Sequence, residues 1–114
     1  MSTLAEKTCS PCEGGIPALD ATAAEALMAK LEPRWTLSAD ARQISAQFAF
    51  RDYFRTMAFI NAVAYVAAQE DHHPDISFGY NACTITWWTH AVDGLSENDF
   101  ICAAKIDHIP SQRA

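Results

Sequence analysis

Residues 71 to 90 read DHHPDISFGYNACTITWWTH, and this stretch decides the fold. On one side of Tyr80-Asn81 the residues Ile76, Phe78 and Tyr80 alternate with other side chains; on the other side Cys83, Ile85, Trp87 and Thr89 do the same. Strand side chains point to opposite faces with a period of two, so each half is a strand with one buried face, and together they form a hairpin. Pro74 biases His73 toward extended backbone, which makes Asp71-His72-His73-Pro74 a fixed loop leading into that hairpin. Antiparallel pairing about the Tyr80-Asn81 turn brings positions around 72 to 74 back opposite positions around 89 to 91. His72, His73 and His90 are thereby directed toward one pocket.

Upstream of the loop, Phe54, Met57, Ala58, Asn61, Ala64, Tyr65 and Ala68 recur at spacings of three and four. That stripe predicts the longest helix, from an N-cap at Asp52 to near Glu70. Trp35 to Leu37, a polar turn at Ser38-Ala39-Asp40, and Ile44, Ala46, Phe48 and Phe50 predict a first pair of antiparallel strands. Thr22-Ala23-Ala24-Glu25 has capping-box form and opens a first helix through Leu27, Met28 and Leu31, stopping before Pro33. Downstream, Ser96-Glu97-Asn98-Asp99 opens a last helix through Phe100, Ile101 and Ala104, closing before Pro110.

The order α-β-β-α-β-β-α predicts the α+β class, a four-stranded antiparallel sheet with helices packed on one face. Residues 1–19, rich in turn formers and without hydrophobic periodicity, are expected to form a flexible N-terminal arm, and residues 20–110 a single domain. Such a sheet keeps two edges and an outer face, with Trp87 or Trp88 on the uncovered side, so self-association is expected.

Half of the 114 residues are apolar and 19% are charged, the composition of one folded domain. The net charge of −6 provides no basic stripe for phosphates, which argues against nucleic acid or an anionic membrane as a direct partner. Met1 to Lys7 lacks a continuous apolar run and no later segment is long and apolar enough to span a bilayer, so the expected address is the cytoplasm. Of the four cysteines, Cys83 and Cys102 lie in apolar surroundings and read as inert buried thiols. Cys9-x-x-Cys12 falls short of a full zinc signature and precedes no βαβ unit, which leaves an unstructured arm as the simpler reading beside a zinc or redox site.

Imidazole exchanges protons near neutral pH more easily than any other side chain, and three of the four histidines fall in the hairpin region. Spacing alone leaves other readings open. Each histidine is also accounted for as a satisfied surface or core residue, and a metal site would need further ligands with a supporting shell. No Gly-x-Ser-x-Gly elbow, phosphate-binding glycine loop or HExxH helix occurs. Asp71 and Asp99 are carboxylates able to orient imidazoles, or solvated charges at helix ends.

Taken in order, Asp71-His72-His73-Pro74, Tyr80-Asn81, Ile85-Thr86, Thr89-His90 and Gly94-Leu95-Ser96 with Asp99 resemble the signature of the pterin-4a-carbinolamine dehydratase family. Trp35, the strand through Phe48 and Phe50, and the helix start at Asp52 to Phe59 extend the resemblance over roughly residues 20 to 108. The resemblance implies a hydro-lyase that removes water from a 4a-hydroxytetrahydropterin, without a metal or organic cofactor. It further implies recycling of the pterin used in phenylalanine hydroxylation, and assembly as a homodimer or homotetramer.

By family position, His72, His73 and His90 are the catalytic candidates. Asp71, Pro74, Trp88, Thr89 and Ala91 are candidates for substrate binding, and Trp35 for stacking on the flat ring. Asp99 is expected to support a histidine or the start of the last helix. The chain departs from animal members at Ala68, where they carry a glutamate, and at Val92, where they carry a cysteine. The rival reading is a non-catalytic binding protein on the same fold, of the Rubisco assembly or transcription coactivator type. A zinc-binding module built on the cysteine arm is a third.

Overall fold

A computed structural model describes residues 3–10 and 17–110. Strand β1 (Thr36–Leu37), β2 (Ile44–Ala49), β3 (Asp75–Phe78) and β4 (Ala82–Trp87) form one antiparallel sheet in the order β1-β2-β4-β3. Both hairpins are present, and they join through β2 and β4, where Ile44 faces Trp87 and Ala49 faces Ala82. The period-two pattern then sorts the two faces. Ile44, Ala46, Phe48, Cys83, Ile85 and Trp87 are buried on the inner face, while Ser45, Gln47, Thr84 and Thr86 stay partly or fully accessible on the outer one. With α1 (Ala21–Met28), α2 (Tyr53–Glu70) and α3 (Glu97–Asp107), the α+β reading and its element order hold.

Helix α2 starts where the sequence predicts, since the Asp52 carboxylate accepts the Arg55 amide at 3.0 Å. Its buried face is a different one from the stripe expected. Thr56, Phe59, Ile60, Val63 and Ala67 are buried, whereas Phe54 is 78% and Tyr65 67% exposed. Met57 is half-buried, and Ala58, Asn61, Ala64 and Ala68 are exposed. The helix is apolar on two sides, and Thr56, polar by composition, suits the interior because its hydroxyl lies 2.9 Å from the Asp52 carbonyl and 3.0 Å from that of Tyr80. Phe59 packs between Phe48 and Phe50, with ring centroids 4.6 and 5.2 Å away; burying a side chain of this size contributes about 1.5–3 kcal/mol.

The first helix is also capped differently. Asp20 holds the N-cap, accepting the Ala23 amide at 2.8 Å, so Thr22 lies within the first turn. Regular α-helix ends at Met28, and a turn carries the chain to Leu31, whose amide donates to the Met28 carbonyl. Residues 3–10 lie against the domain: Leu4–Glu6 form a 3-10 turn with Leu4 buried, and the Lys105 ammonium donates to the Ala5 carbonyl at 2.8 Å. Helix α3 is covered by this segment, α2 and β4, which is why every residue from Asn98 to Ala104 is buried. Among the described residues no helix is long and apolar enough to cross a membrane.

Candidate active site

The histidine loop begins where α2 stops. Asp71 takes the left-handed conformation, with φ 52° and ψ 45°, and turns the chain out of the helix into β3. Asp75 pairs with Thr86, and continuing that register past the strand ends places His73 opposite Trp88 and Asp71 opposite His90. His90 itself opens a 3-10 turn, His90–Val92, held by reciprocal backbone bonds between Thr89 and Gly94. The three imidazoles therefore come from a helix end and a strand end joined by one hairpin, as the spacing predicts.

His72 is the inner member. Its side chain is 10% exposed, its ring stacks on buried Trp87 with centroids 5.7 Å apart and 7° between planes, and its Nε2 lies 2.6 Å from Asp99 Oδ1. Asp99 is fully buried, and its Oδ2 accepts the Thr89 hydroxyl at 2.8 Å and the Ser96 amide at 3.0 Å. The second of these bonds is half of the capping box that starts α3, so the carboxylate both caps the helix and holds the imidazole. A carboxylate accepts only, so in this contact Nε2 carries the hydrogen, which fixes the tautomer and the direction of the ring.

His73 and His90 form the outer pair, both exposed, with centroids 5.5 Å apart. Trp88 lies against His90 at 3.8 Å, and its indole N–H donates to Asp75 Oδ2 at 3.0 Å. Asp71, His72, His73, Trp88, Thr89, His90 and Ala91 line a cavity of about 170 Å³. Pro74 is half-buried beside this lining. Proton exchange is the chemistry such a lining offers: two accessible imidazoles, a third fixed by a buried carboxylate, and an aromatic wall.

Trp35 does not belong to this group. It is buried, edge-on to Phe48 at 6.1 Å, and its indole nitrogen lies 3.0 and 2.9 Å from the two carboxylate oxygens of Asp107. Burial pushes the Asp107 carboxyl above its ordinary value, opposed by the Trp35 hydrogen bond and the Arg34 charge. A larger hollow of about 410 Å³ opens there, lined by Arg34, Phe48, Phe50, Phe59 and Asp107 among others. Its charged groups, Arg34 and Asp107, already face each other at 3.6 Å.

Two residues of the histidine site escape the sequence reading, Trp87 beneath His72 and Asp75 behind Trp88, and Ser96, expected to open the last helix, also lies beside Asp99 and Thr89. Alternation along β4 marks Trp87 as buried but says nothing of what rests on it. Among the described residues no group of three or more histidine, cysteine or acidic side chains is placed to hold a metal ion. Cys12, the second half of the Cys9-x-x-Cys12 motif, lies outside the described residues.

A family model described as pterin 4 alpha carbinolamine dehydratase matches residues 17–109. A Nitrosomonas eutropha protein provisionally named pterin-4-alpha-carbinolamine dehydratase is 59% identical over 104 residues, covering 91% of this chain and 90% of that protein. One from Dechloromonas aromatica, with the same provisional name, is 45% identical over 106 residues, covering 93% and 92%. Among solved structures, a transcriptional coactivator/pterin dehydratase from Brucella melitensis superimposes with a TM-score of 0.74 at 27% identity, over 79% of this chain and 95% of that one. A pterin dehydratase-like protein, identified as a RuBisCO assembly factor of the alpha-carboxysome, superimposes at 0.55 with 28% identity, over 64% and 84%.

Proposed function

This chain belongs to the pterin-4a-carbinolamine dehydratase family, and from that premise we propose that it converts a 4a-hydroxytetrahydropterin to the quinonoid dihydropterin and water. The observation carrying this reading is the lining of one cavity by His72, His73 and His90, with His72 held by the buried Asp99. In the proposed reaction a base takes the N5 proton, the freed electron pair forms the C4a=N5 double bond, and the C4a–O bond breaks as an acid delivers a proton to the departing hydroxyl. An imidazole is suited to either task near neutral pH. The exposed pair, His73 and His90, is assigned the direct transfers, and His72 the positioning of the ring under Trp87 and Asp99 control. Trp88 offers a flat face to the pterin.

The steps balance with two proton transfers and one C–O cleavage, so no cofactor is invoked. The cavity is smaller than the ~300 Å³ of pockets that enclose drug-sized ligands, which suits a bicycle held at the surface with its side chain in water. The product is a pterin ready for reduction, and the proposed setting is cytoplasmic recycling of the pterin that aromatic amino acid hydroxylases consume. We assign a homodimer or homotetramer as the working form, supported by the exposed α2 face with Phe54 and Tyr65 and by Phe78, 51% exposed, on edge strand β3.

The deciding experiment follows dehydration of freshly made 4a-hydroxytetrahydropterin by stopped flow with wild type, His73→Ala and His90→Ala. Wild type is expected to outpace the spontaneous reaction, and each variant to lose most of that acceleration. A wild-type rate equal to the spontaneous one would overturn the enzyme reading in favour of a binding protein on this fold.

A further inference from the structure

Cys9 and Cys102 stand far apart in sequence, yet their sulfurs lie 3.6 Å from each other. Each is held by its own surroundings. Cys102 is fully buried on α3, one turn past Asp99. Cys9 is partly exposed in the segment that crosses α3, where its amide donates to Glu70 Oε1 at 2.8 Å. The next residue, Ser10, exchanges two hydrogen bonds with the Asn98 side chain, at 3.0 and 2.7 Å. Lys105 bridges the same parts, donating to the Ala5 carbonyl and lying 3.7 Å from Glu70. The segment therefore ties the last residue of α2 to α3, at Asn98, the neighbour of Asp99 in sequence. A disulfide needs about 2.05 Å between sulfurs, so closing the pair takes an approach of some 1.5 Å from the 3.6 Å contact.

We propose that Cys9 and Cys102 are a modification site, a thiol pair that hydrogen peroxide converts to a reversible disulfide, clasping residues 3–10 onto α3. The sulfur of Cys9, the partly exposed member of the pair, attacks a peroxide oxygen and the O–O bond breaks; the hydroxide released leaves as water with the Cys9 proton, and Cys9 becomes a sulfenic acid. Cys102 sulfur then attacks the Cys9 sulfur and expels hydroxide, which departs as water with the Cys102 proton. Two thiols lose two electrons and one peroxide becomes two waters. The hydrogen bond to Cys9, with burial, raises the Cys102 thiol above its ordinary range, which lowers its thiolate fraction. A reducing thiol such as dithiothreitol reverses the clasp by exchange.

The full chain, reduced and then treated with hydrogen peroxide, is quenched with an alkylating agent and its peptides are mapped by mass spectrometry. Expected are an intact mass lower by two hydrogens, a crosslinked peptide joining Cys9 to Cys102, and a Tm raised by about 5 °C or more that dithiothreitol restores. The link should persist in Cys12→Ser and vanish in Cys9→Ser, a change at a partly exposed position that keeps the fold testable. A Cys9–Cys12 link, a chain-to-chain link, or sulfinic acid on Cys9 without any crosslink would each overturn the proposal.

Discussion

His72 Nε2 and Asp99 Oδ1 stand 2.6 Å apart across 27 residues of sequence, and the same carboxylate caps α3 through the Ser96 amide. One buried group thus couples the stability of a helix to the direction of an imidazole. In Asp99→Asn one oxygen becomes an NH2 group, which either faces the Ser96 amide and loses that bond, or faces His72 Nε2 and forces the imidazole into the tautomer with its hydrogen on Nδ1. Stability should fall by about 1–3 kcal/mol, and kcat for pterin dehydration by about 10- to 100-fold. Thermal melts and stopped-flow rates on the same preparations check both; unchanged kcat beside a lowered Tm would leave Asp99 with the helix cap alone.

The outer imidazoles should behave as a unit. His73→Ala and His90→Ala are each expected to lower kcat by about 10²–10⁴, with the double variant losing much less than the product of the two. Both residues are exposed, so Tm should hardly move. Full multiplicativity in the double variant would mean that the two act in separate steps.

The hairpin was legible because alternation and a turn fix register, and register alone carries positions 71 to 73 to positions 88 to 90. The buried face of α2 was not. Phe54 and Tyr65 on one side and Phe59, Ile60 and Val63 on the other are equally apolar, and the choice depends on where the sheet lies. Trp35 has the chemistry of a pterin-stacking residue, and only the fold shows its N–H committed to Asp107, 72 residues away. Asp99 was readable as a support for a histidine or for a helix start; with two oxygens it does both.

If Trp35 is a core residue, Trp35→Phe should cost stability and spare catalysis. The lost N–H leaves the Asp107 carboxylate, whose side chain is 7% exposed, without its indole donor. A cost of about 1–3 kcal/mol is expected, with KM and kcat for the pterin within about twofold of wild type. A KM raised tenfold or more would return Trp35 to the binding site.

Asp107 also sets a pH dependence. Its carboxyl is raised in the folded state, chiefly by burial, above the ordinary 3.8. The folded protein therefore binds that proton more tightly than the unfolded chain, and the stability this confers is complete below 3.8 and lost as pH rises through the folded value. Asp107→Asn removes the titration and keeps a side-chain oxygen for the Trp35 indole. Relative to wild type, the variant should gain stability as pH rises from below 3.8 through the raised folded value, read from urea midpoints across that range. A difference that stays constant with pH would show that the raised proton affinity does not contribute.

Gly94 tests how tightly the His90 turn is held. Its amide and carbonyl pair with Thr89 at 3.3 and 2.7 Å, and a Cβ added at this position would come 2.8 Å from the Ala18 Cβ. Real Cβ atoms essentially never approach so closely, so Gly94→Ala must push away the segment whose Leu19 amide donates to the Leu95 carbonyl, or loosen the Thr89 pairing. Overpacking of this kind costs about 1–3 kcal/mol, a drop of some 5–15 °C in Tm for a domain this small. Because the obstructing atom is a single methyl, Ala18→Gly in the same chain should restore most of the loss, and a double-mutant cycle isolates the term. Dehydration rates separate the two ways of yielding: if the Ala18 segment moves, kcat holds while Tm falls, and if the Thr89 pairing opens, His90 shifts against His73 and both fall together.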